Sequence, residues 1–249
     1  MGQVITFSNH KGGVGKTTST VNVGVALSEM GQKVLLIDLD PQANLTQSFG
    51  ITKVNFNIYE SLIGRYELRW TSITENLDVV PSTLDLSGAE TELVSEPGRE
   101  FILKELIEAI RDQYDFVLID TPPSLGLLTV NALTAADAVY IPLQAEYLAL
   151  QGLTKLTSVI RKIQKRLNRN LQLGGVFLTQ YDSRKILNRE VAEMVSNYFK
   201  DKVFKTKIRD NVALAEAPSL GKDIFNYNNK SNGAKDYMNL SKEILKRNQ

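Results

Sequence analysis

A glycine-rich turn with a lysine on each side has the clearest chemical potential in this sequence: Lys11-Gly12-Gly13-Val14-Gly15-Lys16-Thr17-Thr18. Glycines let the backbone wrap closely around phosphates with its N–H groups directed inward, and the dipole of a following helix favours the same anion. In such a loop Lys16 would reach the β- and γ-phosphates, and the Thr17 hydroxyl would ligate Mg²⁺. The turn therefore predicts a site for a nucleoside triphosphate with Mg²⁺.

The same turn departs from the usual phosphate-loop pattern at its start. That pattern has glycine where His10 stands, and this sequence instead carries a second lysine, Lys11, as the first loop residue. The alternative interpretation is a tight connection between a strand and a helix, with no ligand. The combination of two lysines, three glycines and two threonines between those two patterns favours phosphate binding.

Two acidic loops have the composition needed to support phosphate chemistry. They are Asp38-Leu39-Asp40-Pro41-Gln42 and Asp120-Thr121-Pro122-Pro123, and each follows an apolar run typical of a buried strand. Ligands of open α/β sheets bind at the carboxyl ends of the strands. Acidic residues at that edge can hold Mg²⁺ through its waters and orient an attacking water. The alternative is that these aspartates only cap loops or helices, and the phosphate loop makes that alternative the weaker one.

Strand patterns alternate with helix patterns along the whole chain. The predicted strands are Gln3–Ser8, Lys33–Asp38, Leu77–Pro81, Phe116–Asp120, Ala138–Leu143, Leu173–Thr179 and Val203–Ile208. Several are continuous apolar runs, as expected for strands buried on both faces. Such alternation indicates βαβ units, so the predicted fold class is α/β, with a mainly parallel, twisted sheet and helices on both faces. The absence of a linker pattern favours one domain over residues 1–249.

Helical periodicity fills the intervals between the predicted strands. One helix is expected from about Thr17 to Met30, and two more are marked by apolar residues between Phe101 and Ile110 and between Leu153 and Ile163. Ala234–Lys246 is expected to be a closing helix that docks onto the domain. Lys53–Trp70 is the least regular stretch and is interpreted as an excursion near the site.

The overall composition is that of an ordinary globular protein, but its charge is unevenly distributed. Hydrophobic residues make up 43% of the 249 residues and cysteine is absent, which excludes disulfides and thiolate metal sites. The strand pattern at Met1–Ser8 leaves no room for a signal peptide, and no apolar run is long enough to span a membrane, so a cytoplasmic protein is expected.

Residues 1–150 carry a net charge of −10 and residues 151–249 one of +11. The basic part is either a polyanion-binding face or a set of solvated helix faces.

The combined motifs resemble the ParA/MinD group of deviant Walker-A ATPases. The resemblance rests on the loop at Lys11–Thr18 together with Asp38-Leu-Asp-Pro-Gln42 and Asp120-Thr-Pro-Pro-Ser124. It extends to Leu178-Thr-Gln-Tyr-Asp182, Lys202-Val-Phe-Lys-Thr206 and the segment Asn211–Ser219, and so covers nearly the whole chain. It is closer to the short, Soj-like ParA partition ATPases than to MinD. The resemblance implies a P-loop NTPase fold, ATP and Mg²⁺.

The resemblance also implies roles for individual residues in a sandwich dimer with two ATP molecules at its interface. Lys11 would cross to the phosphates of the partner's nucleotide, and Glu146 with the following helix would lie at the dimer face. Asp40 would position the hydrolytic water with Asp38 beside it, and Asp120 would lie near Mg²⁺. Thr179 and the loop formed by Arg209, Asp210 and Asn211 would surround the adenine.

In this family the ATP-bound dimer binds DNA without sequence preference and is switched off by a ParB-like centromere-binding partner. Nucleoid association is therefore expected, with DNA contacts among the basic side chains of the C-terminal part. The candidates are Arg184, Lys185, Lys205, Lys207, Arg209 and Lys222. Relatives often read Ile-Pro-Arg-Asn-Val-Arg where this chain has Ile208-Arg-Asp-Asn-Val-Ala213, so the arginines are rearranged.

The sequence leaves several alternatives to a DNA-segregation function. One is a membrane-recruited, MinD-like positioning ATPase, although Glu243–Gln249 is poorly suited to membrane binding. A regulatory or cargo-positioning ATPase would use the same switch, and a metabolic kinase would require an acceptor pocket that the sequence does not indicate. The chain starts at its first strand, so an N-terminal helix-turn-helix domain and operator binding are not expected.

Overall fold

The computed structural model describes residues 1–146 and 149–248 of the chain. Its strands form one seven-stranded sheet in the order β3-β4-β2-β5-β1-β6-β7. The strands are β1 Gln3–Phe7, β2 Val34–Asp38, β3 Thr71–Thr74, β4 Leu77–Val80, β5 Phe116–Asp120, β6 Ala138–Gln144 and β7 Gln172–Thr179. All the pairings are parallel except that of β3 with β4. The predicted fold class is confirmed.

Helices lie on both faces of this sheet. They are α1 Lys16–Glu29, α2 Asn44–Ser48, α3 Ile58–Leu62, α4 Ala89–Glu92, α5 Ile102–Glu108, α6 Leu127–Ala135, α7 Ala149–Arg166, α8 Ile186–Phe199, α9 Val212–Glu216, α10 Ile224–Asn228 and α11 Asn232–Arg247. Short 3₁₀ turns occur at Leu84–Gly88, Leu93–Ser95, Arg111–Gln113, Lys200–Lys202 and Ala217–Leu220. None of the described helices combines the length and the apolar character required for crossing a membrane.

Two apolar clusters sandwich the sheet, because neighbouring strand residues point to opposite faces. Leu35 and Ile37 of β2 pack into one cluster, with α5, α6 and α7. Val34 and Leu36 pack into the other, with α1 and α11. The closing helix α11 docks through three buried side chains, Tyr237, Leu240 and Ile244. Its apolar face is therefore used inside the fold.

The prediction of a strand at Val203–Ile208 is wrong. Only Val203 forms an isolated bridge, to Val176 of β7. The backbone N–H groups of Lys205 and Thr206 donate to the Glu243 carboxylate of α11 at 2.9 and 3.1 Å, so they cannot join a ladder. The segment runs beside β7 without becoming a strand.

The sheet contains instead a strand that the sequence did not indicate. β3 is a short, largely polar edge strand, and it forms a hairpin with β4. The irregular stretch Lys53–Trp70 contains α3 and packs towards α5. Its residues do not line the cavity beside the phosphate loop, so the expectation of an excursion near the site is not met.

Candidate nucleotide-binding site

Three parallel strands bring the predicted site residues to one edge of the sheet. Phe7, the last residue of β1, is in register with Asp120 at the end of β5, and Asp38 at the end of β2 is in register with the same residue. The glycine-rich turn follows β1 directly. Helix α1, which follows β1, packs on one face of the sheet, and α6, which follows the neighbouring strand β5, packs on the other face. Such a switch point is where open α/β sheets bind ligands.

The loop itself has the backbone shape of an anion-binding turn. Gly13 and Gly15 have φ values of 74° and 84°, a left-handed conformation that favours glycine. Gly15 is also the N-cap of α1, so the unpaired N–H groups of the first helical turn point towards the loop. Thr179, the last residue of β7, holds the loop in place by donating its hydroxyl to the Val14 carbonyl at 2.9 Å. The Val14 side chain is buried, whereas the glycines line the cavity.

Lys16 follows the glycine-rich loop, and its side chain has little exposure to solvent. Its side chain lines the cavity, and its Nζ is 3.4 Å from the Lys11 carbonyl. Burial lowers the pKa of the ammonium, and the nearby carboxylates of Asp120 and Asp40 oppose that shift. A buried cation with no ion pair among the described residues can be stabilised by an incoming phosphate.

Thr17 and Asp120 together fit a magnesium ion. The Thr17 hydroxyl donates to Asp120 Oδ2 at 2.6 Å, and Asp120 is fully buried. Burial, with the neighbouring Asp38 carboxylate, holds the pKa of Asp120 well above its ordinary range. Its other oxygen, Oδ1, is buried without a hydrogen-bond partner among the described residues. A hydrated Mg²⁺ would satisfy that oxygen, and nucleotide phosphates would supply the remaining ligands.

Asp38 holds the acidic loop in place and does not line the cavity. The Thr46 backbone N–H and hydroxyl donate to Asp38 Oδ2 at 2.9 and 2.6 Å. Burial raises its pKa to about 6 against the effect of these hydrogen bonds. Ser82 donates its hydroxyl to the Asp40 carbonyl at 2.9 Å. Asp40 does line the cavity, so its carboxylate is accessible to a ligand or a water there.

The two residues predicted at a dimer interface contact each other within this chain. Lys11 Nζ forms an ion pair with Glu146 Oε2 and lies 3.4 Å from Gln144 Oε1. The side chains of Lys11 and Glu146 are 44% and 46% exposed. Exposed ion pairs contribute about 0–1 kcal/mol, so Lys11 can exchange this partner for a stronger anion at little cost.

The cavity beside the loop has a volume of about 550 Å³, which is within the usual range for small-molecule sites. Its wall away from the phosphate loop is formed by Leu214, Ala215, Pro218 and Ser219. Arg209, Asp210 and Asn211, predicted to surround the adenine, do not line it. Arg209 is held by Asp236 of α11, and Asn211 caps α9 by accepting from the Ala213 N–H. The residues that line this part of the cavity therefore follow the predicted adenine residues by a few positions in the chain.

Five of the six predicted DNA-contact residues lie in two segments next to β7. Arg184 and Lys185 follow the strand closely, and Lys205, Lys207 and Arg209 belong to the stretch that runs beside it. Tyr181 bridges to Arg209, and Lys207 Nζ lies 4.3 Å from the centre of the Tyr181 ring. Arg184, which is 89% exposed, forms an ion pair with Asp182 at 2.9 Å. Lys185 and Lys205 are exposed, and so is Lys222, which lies on a separate turn after α9.

Several polar residues line the site that were not predicted from the sequence. Gln42, Asn44 and Gln47 line the cavity opposite the phosphate loop. Gln180 lines it as well and donates its amide to the Gly13 carbonyl at 2.8 Å. Gln180 follows β7 directly, so the rule that ligands bind at the carboxyl ends of strands could have identified it. No sequence rule of this kind identifies the hydrogen bonds that Thr46 donates to Asp38 and that Ser82 donates to the Asp40 carbonyl.

Residues 2–173 match a protein-family model described as an AAA domain. The chain is 49% identical to the sporulation initiation inhibitor protein Soj of Bacillus subtilis, over 98% of each protein. It is 47% identical to the chromosome-partitioning ATPase Soj of Treponema pallidum, over 99% of this chain and 98% of that protein. The solved structure of cobyrinic acid a,c-diamide synthase from Mycobacterium smegmatis, with bound ADP and magnesium, is similar, with a TM-score of 0.87 and 36% identity. That similarity covers 99% of this chain and 95% of the solved one.

Proposed function

This chain belongs to the ParA/Soj-like partition ATPases of the ParA/MinD family and is a magnesium-dependent ATPase, and on that premise we propose that it segregates plasmid or chromosomal DNA as an ATP-switched dimer. The observation that carries the proposal is its near-full-length identity to a chromosome-partitioning ATPase. The site is consistent with it, because one cavity contains the phosphate loop, Lys16 and Asp40.

The ATPase chemistry is assigned to four side chains. Lys16 would bind the phosphates, and Thr17 and Asp120 would hold Mg²⁺. Bound Mg²⁺ supplies charge neutralisation for the transferred phosphoryl group. Asp40 orients the attacking water. Intrinsic turnover should be slow, because Asp40 is the one carboxylate and no histidine lines the cavity among the described residues.

ATP closes the dimer through the first lysine of the loop. Lys11 leaves its weak ion pair with Glu146 and reaches the phosphates of the partner's nucleotide, which carry a higher negative charge. Charge-assisted contacts to phosphate are stronger than an exposed pair with a carboxylate. Glu146 and α7 then lie at the interface. Without nucleotide this attraction is absent, so dimerisation depends on ATP.

The dimer binds duplex DNA through phosphates, which attract its basic residues. Residues 151–249 carry a net charge of +11, and two chains double that charge on one particle. Lys207 and Arg184 are the strongest candidates, because Lys207 packs over the Tyr181 ring and Arg184 bonds to Asp182, and both of these contacts lie just after β7. Binding of this kind has no sequence preference and weakens steeply with salt. It would place the ATP-bound protein on the nucleoid, until a ParB-like centromere-bound partner stimulates hydrolysis and release.

The test is DNA binding by a dimer that cannot hydrolyse ATP. Asp40→Ala protein with Mg-ATP should shift a duplex of arbitrary sequence at low salt, and a threefold increase in salt should weaken that binding by orders of magnitude. ADP-loaded and nucleotide-free protein are the matched controls. If the Asp40→Ala protein dimerises with ATP and leaves DNA unbound at low salt, the segregation function is refuted.

A MinD-like membrane function is the alternative, and the docking of α11 argues against it. A membrane-surface helix needs a free apolar face. The apolar residues Tyr237, Leu240 and Ile244 of α11 are buried against the core. We therefore expect no sedimentation with anionic liposomes in the presence of ATP. ATP-dependent sedimentation with liposomes and no DNA shift would favour the MinD-like function.

A further inference from the structure

A second and larger cavity lies on the acidic part of the chain, away from the nucleotide site. It measures about 850 Å³ and is formed by α3 with the loop after it, the turn around α4, and α5. None of its lining residues belongs to the cavity beside the phosphate loop. The nucleotide chemistry gives it no role.

The rim of this cavity carries charge of one sign. Four of its lining residues are glutamates, and none of the described residues that line it is a lysine, arginine or aspartate. The four are exposed and come from separate segments: Glu67 after α3, Glu92 and Glu96 around α4, and Glu105 on α5. Glu67, Glu96 and Glu105 form no ion pair with any described residue. Their carboxylates are therefore available to a cationic ligand.

The floor of the cavity is apolar and only partly covered by the protein itself. Leu62, Leu68 and Leu93 are buried at its base. Trp70 and Leu106 also line it, and they remain partly exposed although they pack against the core. A polar-rimmed apolar depression of this size on a folded chain indicates a binding surface.

We propose that this cavity, the acidic groove, binds a basic amphipathic segment of a partner protein. A segment with apolar residues on one face and Lys or Arg beside them would cover the floor and meet carboxylates on several sides. A small cation would reach only one or two of the glutamates, since they come from three segments of the chain.

The occupant is a different protein, because no described helix of a second copy offers both a free apolar face and an excess of Lys and Arg. Helix α8 leaves Ile186, Met194 and Tyr198 exposed, but its sequence carries one Arg against two Glu. The basic described helices of the chain are α7 and α11, whose sequences carry five and four Lys or Arg residues. The apolar face of α7 is buried through Leu153, Leu156 and Ile160, and that of α11 is buried through Tyr237 and Leu240. Neither helix can offer its apolar face to the groove of another copy without leaving its own core.

The single tryptophan of the chain provides a direct assay. Trp70 lines the groove, so its fluorescence should change when an apolar face covers it. The probe is a tryptophan-free Leu/Lys peptide of about 14 residues, which is about four helical turns. Two control peptides carry Glu in place of Lys, or Ser in place of Leu. We expect a saturable change with the Leu/Lys peptide alone, in the full chain with or without ATP.

Paired variants identify the site of binding. Glu96→Gln with Glu105→Gln should weaken the Leu/Lys peptide by about 3- to 10-fold, since two exposed ion pairs are lost. Glu75→Gln with Glu190→Gln removes the same charge from exposed positions outside the groove and should leave the affinity unchanged.

Three results would overturn the proposal. Equal binding of the Ser-containing peptide would mean that charge alone attracts the probe, and equal weakening by both variant pairs would place the binding elsewhere. If the Glu96→Gln, Glu105→Gln variant changes the sedimentation of the chain without peptide, the groove contacts a second copy. Because the groove lies outside the nucleotide cavity, none of these results depends on DNA segregation.

Discussion

The ion pair between Arg209 and Asp236 is expected to stabilise the fold, although sequence analysis assigned Arg209 to adenine and to DNA. Asp236 of α11 is buried, with 6% exposure. It accepts from the Arg209 backbone N–H at 3.0 Å, from Nε at 2.9 Å and from Nη2 at 2.7 Å. Arg209→Ala keeps the first of these hydrogen bonds and removes the other two, leaving a buried carboxylate with an incomplete set of donors.

The cost can be estimated from the hydrogen bonds that are lost. A hydrogen bond to a charged group contributes about 1.5–3 kcal/mol, so the two lost bonds contribute about 3 kcal/mol at the low end of that range. The Arg209 side chain is 47% exposed, so water replaces roughly a third of this interaction. A loss of about 2 kcal/mol is expected. With a urea m value of about 2.5 kcal/mol/M, the unfolding midpoint falls by about 0.8 M.

The assay is equilibrium urea unfolding followed by circular dichroism, with Arg184→Ala as the matched control. Arg184 also forms a two-point ion pair with an aspartate, but its side chain is 89% exposed, so its loss should leave the urea midpoint almost unchanged. Arg184→Ala should instead weaken DNA binding and reduce the salt slope by about one. If Arg209→Ala unfolds at the same midpoint as Arg184→Ala, the structural role of Arg209 is refuted.

Three further substitutions test the site and the sheet. Lys16→Ala should abolish ATP binding in calorimetry, because the cavity loses its buried cation; retained micromolar binding would contradict the role of Lys16. Lys11→Ala should spare ATP binding by the monomer and remove ATP-driven dimerisation; a normal dimer in light scattering would refute the cross-subunit role. Gly174→Ala should lower the urea midpoint by more than about 0.5 M, because its Cβ would lie 2.1 Å from the Tyr140 ring, whereas Gly88→Ala has open space and should not.

The phosphate loop was predictable because its chemistry is local. The order of glycines, lysines and threonines fixes the backbone shape and the donor set within eight residues. Buried parallel strands were predictable for a similar reason, since a continuous apolar run such as Phe116–Ile119 reveals burial on both faces. The meeting of Asp38 and Asp120 then followed from the parallel arrangement, in which strand ends share one edge.

The errors arose where a polar contact between distant residues overrides a local pattern. The segment Val203–Ile208 has the residue types of a strand, but the Glu243 carboxylate accepts hydrogen bonds from two of its backbone N–H groups. β3 has the opposite character: it is polar and short, and it pairs only because β4 lies beside it. Local propensity cannot detect either effect, because the deciding partner lies in another part of the fold.

The sequence by itself determined the family, the α/β sheet and the chemistry of the phosphate loop, because these depend on residue types at short spacing. Only the tertiary structure decided that Lys11 rests on Glu146, that Arg209 holds Asp236 and that Leu214 and Pro218 line the cavity. The charged partners in those pairs are 135 and 27 residues apart in the chain. The sequence shows which residues are charged, but the packing of distant segments decides which of them pair.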